Sequence, residues 1–224
     1  MFELEVHGNV RLLRMTADEN RFDSTFVGAL HRVLDSLEAV TGPCALVTTG
    51  TDRFYSNGLD LDFFNSLEDK RKFLHEVHGL FARILALDMY TVAAVSGHAF
   101  AGGAMLAVSH DHSVMRFDRG YWCIPEVDLG LPLTPEMYAV LSARIDRPAL
   151  AEAILTGKRY TASEAAAVRI VDEVASRDEL VDRALEVAAG QATKDRSVLR
   201  IHKRLLYSDV LDAVGETTLQ AHGR

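Results

Sequence analysis

The stretch TVAAVSGHAFAGGAMLAVSHD, residues 91–111, decides how this chain is read. Residues 91–96 are β-branched or small, as a buried strand requires, and residues 101–109 are unbranched and apolar at helical spacing. Gly97, Gly102 and Gly103 lie between the two patterns. A strand that turns through glycines into a helix leaves N–H groups at the helix start without an internal partner, and the helix dipole adds positive potential there. Such a corner stabilises negative charge developing on an oxygen. Glycines at a tight turn also serve packing alone, and this stretch by itself does not separate the two uses.

Upstream, residues 44–49 form a buried-strand pattern that runs into a second glycine-bearing loop, residues 50–60, again followed by helical spacing. Leu61 and Phe64 open a short helix, and Phe73, Val77, Leu80, Phe81, Ile84 and Leu85 mark a longer one. Before them, residues 2–6 and 10–15 alternate around His7-Gly8-Asn9 as a hairpin, and a helix through Phe26, Leu30, Val33, Leu34 and Leu37 is capped by Asp23 or Ser24. Downstream come strands at 113–117 and 121–124, an irregular segment at 125–132, and helical patterns at 135–142, 148–156 and 162–167, the last capped by Thr161. A strand at 170–174 and three helices from about 177 complete the chain. Strands alternating with helices predict an α/β domain with crossover connections.

With 224 residues, 48% of them hydrophobic and 25% charged, the chain has the composition of a globular protein with one large domain or a domain and a small appendage. A net charge of −8 argues against a general nucleic-acid surface, which needs clustered Lys and Arg. Cys44 and Cys123 sit in apolar runs and read as buried thiols of a reducing compartment, with neither a disulfide nor a metal site expected. The N-terminus alternates as a strand pair does and is not a signal peptide, no apolar run spans a bilayer, and LQAHGR is no peroxisomal or ER-retention address. The expectation is a cytoplasmic protein with no nucleic-acid or membrane partner.

Three motifs stand in a specific order: FYSNGLDL at 54–61, AVSGHAFAGGAMLAVSHD at 94–111 and IPEVDLGL at 124–131. In this order and spacing they resemble the crotonase superfamily, the enoyl-CoA hydratase/isomerase proteins, over nearly the whole chain. The resemblance implies a spiral of repeated β-β-α units in two stacked sheets over residues 1–176 and a C-terminal helical region, 177–224, used in trimer assembly. It also implies an acyl-CoA thioester as substrate, with coenzyme A part of that substrate and no separate cofactor, and a homotrimer or dimer of trimers. Within the superfamily the chain is most similar to the Δ3,Δ2-enoyl-CoA isomerases, through Ser56-Asn57-Gly58-Leu59-Asp60-Leu61, Gly97-His98-Ala99 and Ser109-His110-Asp111.

Removing a proton beside a thioester carbonyl pushes charge onto its oxygen, so donors must be aimed there beforehand. By motif position these are the backbone N–H groups of Leu59 and Gly102. Hydratases of the superfamily hold water between two glutamates, whose positions match Met105 and Glu126 here. A thioether accepts no proton, whereas the single carboxylate of Glu126 suits moving a proton from the α to the γ carbon of a 3-enoyl thioester, a step of fatty acid β-oxidation. Burial near Met105, Trp122 and Phe100 is expected to raise the pKa of Glu126.

Asp128 and Glu136 are candidate second carboxylates, which keeps a hydratase or an acyl-CoA hydrolase open, beside a non-catalytic acyl-CoA-binding protein. Ser56, Asn57, Gly58, Asp60, Gly103, Met105 and Leu129 complete the expected binding site. Asp60 and Asp111 read as loop braces, and His98 and His110 as structural. Arg53, Lys203 and Arg204 are candidate partners for the anionic coenzyme. Phe63, Leu67 and residues 68–81 are expected to shape the acyl pocket.

Overall fold

In the computed structural model, which describes residues 1–215, successive strands feed two different sheets. The strands are β1 (Phe2–His7), β2 (Val10–Met15), β3 (Ala45–Thr49), β4 (Phe54–Ser56), β5 (Tyr90–Val95), β6 (His98–Phe100), β7 (His112–Arg116), β8 (Trp122–Cys123) and β9 (Glu173–Ala175). Among the described residues one sheet has the order β1-β2-β3-β5-β7-β9 and the other β4-β6-β8. The β1–β2 hairpin is the one antiparallel strand pair among the described residues, the other strand pairs are parallel, and Trp122 makes an isolated antiparallel bridge with Tyr160. Each parallel step must cross the protein before returning. From β3 onward the crossing runs through a strand of the small sheet and then one or more helices, which is the β-β-α repeat, while β2 reaches β3 through the helix Ser24–Glu38 alone.

The helices are α1 (Ser24–Glu38), α2 (Leu61–Ser66), α3 (Lys70–Ala86), α4 (Gly102–Val108), α5 (Pro135–Ser142), α6 (Arg147–Thr156), α7 (Ala162–Ala167), α8 (Leu180–Gln191), α9 (Arg196–Leu206) and α10 (Ser208–Val214). Local chemistry sets their starts. Asp23 caps α1 on the Phe26 N–H, Thr134 caps α5 ahead of Pro135, and Thr161 with Glu164 forms a reciprocal capping box on α7. The large sheet divides two cores by strand alternation. Leu13, Met15, Leu46, Ala93, Val95 and Met115 face α1, α3 and α4, while Leu12, Val47, Val92, Ala94 and Val114 face Leu180, Ala184 and Ala188 of α8.

Two buried polar ties cross these layers. The Thr48 hydroxyl meets the Tyr55 hydroxyl at 2.7 Å and His110 Nε2 at 3.0 Å, while His110 Nδ1 donates to the Leu106 carbonyl at 2.9 Å. Burial depresses the His110 pKa to about 4, so the imidazole is neutral and joins β3, β4 and the end of α4. Asp111 accepts from the Thr91 N–H and hydroxyl and from Lys203 Nζ, joining the end of α4 to β5 and α9.

The expected strand at 170–174 is displaced. Arg169 adopts φ 61°, and the N–H groups of Ile170 and Val171 bond back to the Ala165 carbonyl, so these residues close α7 and the strand begins only at Glu173. Within the described residues, 177–215 form three helices, as read from the sequence, and pack on their own chain. α8 covers the large sheet, and Tyr207, Val210, Leu211 and Val214 enter the main core. Residues 216–224, including the LQAHGR end and the tail of the expected helical region, lie outside the described residues. Among the described residues no helix is long and apolar enough to cross a membrane, and Cys44 and Cys123 are buried free thiols.

Gly97 lies where the chain passes between the sheets. A Cβ there would stand 2.1 Å from the Arg53 carbonyl oxygen and 2.9 Å from the Phe54 nitrogen, both backbone atoms that cannot yield cheaply. Gly97→Ala is therefore expected to destabilise the fold by about 2–4 kcal/mol, read as a lower midpoint in urea unfolding. An unchanged midpoint contradicts this packing.

Candidate active site

The loop after β4 is fastened by its backbone to the segment before α1. Asn57 N–H donates to the Glu19 carbonyl at 2.9 Å, Phe22 N–H to the Gly58 carbonyl at 2.8 Å, and Asp60 N–H to the Phe22 carbonyl at 3.1 Å. Gly58 N–H is taken by the Ser56 hydroxyl at 3.1 Å. The N–H of Leu59 has no partner among the described residues, because the local parallel bridge with Phe22 uses the groups on either side of it. Gly58, at φ 74°, meets the start of α4 so closely that a Cβ on it would lie 2.7 Å from the Gly102 nitrogen. Ala101 makes the turn into α4 at φ 51°, a conformation costly for a residue with a Cβ, and its N–H is held by the Cys123 carbonyl at 3.0 Å.

Glu126 lies in the turn after β8. Asp128 N–H bonds to the Pro125 carbonyl at 3.0 Å and Leu131 N–H to the Glu126 carbonyl at 2.9 Å, which folds the segment back on itself. Glu126 is 8% exposed, and its Oε2 is buried without a partner among the described residues. Burial pushes its pKa up to about 7. Glu126, Leu59 and Gly102 line one cavity of about 500 Å³. Its other walls are largely apolar, with Phe64, Val77, Phe81, Leu131 and Met137 among them.

The amino-acid sequence matches the family model described as enoyl-CoA hydratase/isomerase over residues 6–222. The chain belongs to this enoyl-CoA hydratase/isomerase family. Among its relatives is a protein of Arabidopsis thaliana named enoyl-CoA delta isomerase 3, 36% identical over 204 residues, covering 87% of this chain and 86% of that one. Another from the same plant, named enoyl-CoA delta isomerase 2, peroxisomal, is 32% identical over 97% of both chains. The structure superposes on that of a probable enoyl-CoA hydratase of Mycobacterium tuberculosis with a TM-score of 0.87 at 26% identity, covering 95% of this chain and 91% of that one. The spiral of β-β-α units is thus the crotonase fold.

The family's motifs do not all converge on the cavity. Asn57, Leu129 and Asp128 line it with Glu126, Leu59 and Gly102. Ser56 is fully buried and its hydroxyl donates to the Asn20 carbonyl at 2.7 Å, so it braces the loop instead of facing a ligand. Gly103 is packed against Ser56, whose carbonyl oxygen would be 2.1 Å from an added Cβ. Met105 is fully buried in the main core and is not on the cavity wall. Asp60 caps α2 through the Phe63 N–H at 3.0 Å. The Arg53 guanidinium lies 5.1 Å over the Phe54 ring, off the cavity wall. Phe63 packs edge-on against Phe73 at 5.3 Å, leaving Phe64 and not Phe63 as the wall. His98 sits among the rings of Phe54, Phe100 and Tyr121, and burial lowers its pKa. Glu136 stands apart from the cavity wall, 3.9 Å from His78.

Lys203 requires a correction. It is 5% exposed, with Nζ donating to Asp111 at 2.7 Å and to the Met89 carbonyl at 3.1 Å, so it has no reach toward a bound coenzyme. The cations on the cavity wall are Arg21 and Arg159. Sequence reasoning missed both: Arg21 precedes a capped helix and Arg159 lies in a loop, and neither position carries a periodic signal. Breaking the buried Lys203–Asp111 pair leaves a carboxylate without its cation. Lys203→Ala is expected to cost about 3–5 kcal/mol of stability, read by urea unfolding, with ligand affinity of the folded fraction unchanged. A loss of affinity at unchanged stability returns Lys203 to the coenzyme site.

Proposed function

We propose that this protein is an enoyl-CoA isomerase that converts a 3-enoyl-CoA to the 2-trans-enoyl-CoA through Glu126 alone. One observation carries the reading: a buried carboxyl with a pKa near neutrality shares an apolar cavity with the Leu59 and Gly102 N–H groups, and among the described residues its Oε2 and both of these donors lack a hydrogen-bond partner. The carboxylate removes a proton from the α carbon, and the electron pair moves onto the thioester oxygen as an enolate. The Leu59 and Gly102 N–H groups stabilise that charge, each worth about 2.7–4 kcal/mol by analogy with other oxyanion donors. The neutral carboxyl then returns the proton to the γ carbon. No electrons leave the substrate, so the reaction needs no cofactor besides the coenzyme A carried by it.

The naming of the Arabidopsis relatives as delta isomerases supports this choice within the family. Arg21 and Arg159, at the cavity wall, are the proposed partners for the anionic coenzyme. A homotrimer or dimer of trimers is the proposed assembly, supported by the exposed apolar side chains Val198, Ile201, Leu205 and Leu206 on α9. The buried free thiols support a reducing compartment, which we read as the cytoplasm, and fatty acid β-oxidation as the pathway. A hydratase remains the second reading, because Asp128 brings another carboxylate to the cavity wall.

The test supplies 3-hexenoyl-CoA and crotonyl-CoA separately and identifies the products. Isomerisation of the first without hydration of the second is expected, and Glu126→Gln should lower isomerase kcat by at least about 100-fold. Undiminished turnover by that variant removes Glu126 from the mechanism, and hydration of crotonyl-CoA favours the second reading.

The pH dependence is a separate expectation. Proton removal needs the carboxylate, so kcat/KM should fall as pH drops below about 7 and level off above it. Stability runs the other way. The folded state holds the Glu126 proton above the ordinary 4.5, so this group contributes stability below pH 4.5 and loses it as pH rises through about 7. Unfolding measured from pH 5 to 8 should show Glu126→Gln gaining on the wild type by up to about 3 kcal/mol. A constant difference across that range argues against a raised pKa.

A further inference from the structure

Asn20 is the polar side chain that the proposed chemistry leaves unused and that the fold uses most heavily around the site. It is fully buried at φ 49°, a left-handed conformation that Asn tolerates better than most residues. Its amide nitrogen donates to the carbonyls of Met15 at 3.1 Å and Tyr55 at 3.0 Å, and its amide oxygen accepts the Ala17 N–H at 2.9 Å. Its own carbonyl accepts the Ser56 hydroxyl, whose oxygen takes the Gly58 N–H. The side chain thus ties the end of β2 to β4, and the main-chain carbonyl of the same residue reaches, through Ser56, the residue before Leu59.

The neighbours of Asn20 complete the fastening. Glu19 and Phe22 take the N–H groups of Asn57 and Asp60, and Phe22 gives its own N–H to the Gly58 carbonyl. Of the four N–H groups from Asn57 to Asp60, three are consumed by residues 19–22 or by Ser56, and the Leu59 N–H alone lacks a partner among the described residues. The direction of that donor is set by bonds to residues 19–22 together with the Ser56 hydroxyl.

We propose that Asn20 is a positioning residue, which aims the Leu59 N–H at the enolate oxygen by locking residues 19–22 against the 56–60 loop. The inference rests on the isomerase reading for its substrate, though not for its geometry. An oxyanion donor acts only where charge develops, so misaiming it weakens enolate binding and kcat while leaving ground-state binding nearly intact. A displacement of 1 Å can cost about 100-fold in rate.

The variants are Asn20→Gly, which keeps the left-handed backbone available and deletes the side-chain bonds, and Ser56→Ala, which keeps those bonds and cuts the hydroxyl link between the Asn20 carbonyl and the Gly58 N–H. Thr161→Ala, which removes the α7 cap outside the cavity, controls for general destabilisation. Each is assayed with 3-hexenoyl-CoA for kcat and KM, and titrated with hexanoyl-CoA and with acetoacetyl-CoA, whose bound enolate is followed by its ultraviolet absorbance.

Expected for Asn20→Gly is a fall in kcat of about 100-fold, a matching loss of acetoacetyl-CoA enolate, and nearly unchanged hexanoyl-CoA affinity and KM. Ser56→Ala should show the same pattern, weaker, and Thr161→Ala none of it. Enolate formation and kcat at wild-type level in folded Asn20→Gly overturn the proposal, and so does an equal loss of hexanoyl-CoA and enolate binding. If Asn20→Gly does not fold, Ser56→Ala decides in the same way. A wild type that fails to isomerise 3-hexenoyl-CoA overturns the isomerase reading instead, and the enolate titration still tests the clamp.

Discussion

The close meeting of two backbones at Gly58 and Gly102 is the constraint from which the site follows. A single carbon added to Gly58 would fall 2.7 Å from the Gly102 nitrogen and 2.8 Å from the Phe100 carbonyl oxygen. No side chain other than hydrogen allows the loop after β4 and the start of α4 to approach so closely. Because they do, two chain segments more than forty residues apart bring to one cavity N–H groups that have no partner among the described residues. Such donors cost no reorganisation when charge appears, since the fold has already oriented them. The alternation of strands between two sheets exists, in this light, to deliver successive strand ends to the same edge, where β4 and β6 pair in parallel.

The proposed acid-base role of Glu126 rests on a different physical effect. A carboxylate in water is a weak base at neutral pH, and burial raises its proton affinity by penalising the charged form. Glu126 reaches this state because the turn at 125–131 closes on its own carbonyls and the cavity around it is mainly apolar. Met105 contributes through what occupies its position. Met105 is fully buried within the apolar core, where a carboxylate would lose its hydration.

Charge elsewhere is mostly structural. Asp111, Lys203 and Thr91 form one buried cluster, and Arg83 is held between His31, Asp35 and Glu38 to join α1 to α3. These pairs fix how helices sit on the sheets, and breaking one leaves a charge with nowhere to go. Lys203 illustrates why a basic helix face misleads. In SVLRIHKRLLY the lysine stands among arginines and looks solvated, yet the helix is turned so that Lys203 is buried while Leu205 and Leu206 are exposed.

Although β4 and β6 lie in segments read as glycine-bearing loops, the sequence by itself determined most of the helices and large-sheet strands, their order and the chemical parts: glycines where backbones touch, caps at Asp23 and Thr161, and one glutamate after a proline in the third motif. These are legible because turn geometry, capping and periodicity depend on neighbours along the chain. Only the tertiary structure decided which side chains face the cavity. It turned Phe64 inward and Phe63 against Phe73, withdrew Ser56, Gly103 and Met105 into the packing, brought Arg21 and Arg159 to the wall, and ended α7 through Ile170 and Val171. It also made Asn20 a junction between β2 and β4, a role with no local signature, since its partners lie up to thirty-five residues away. Facing is a property of how helices and loops rotate against one another. That rotation is set by packing between segments distant in sequence, which no short window of residues contains.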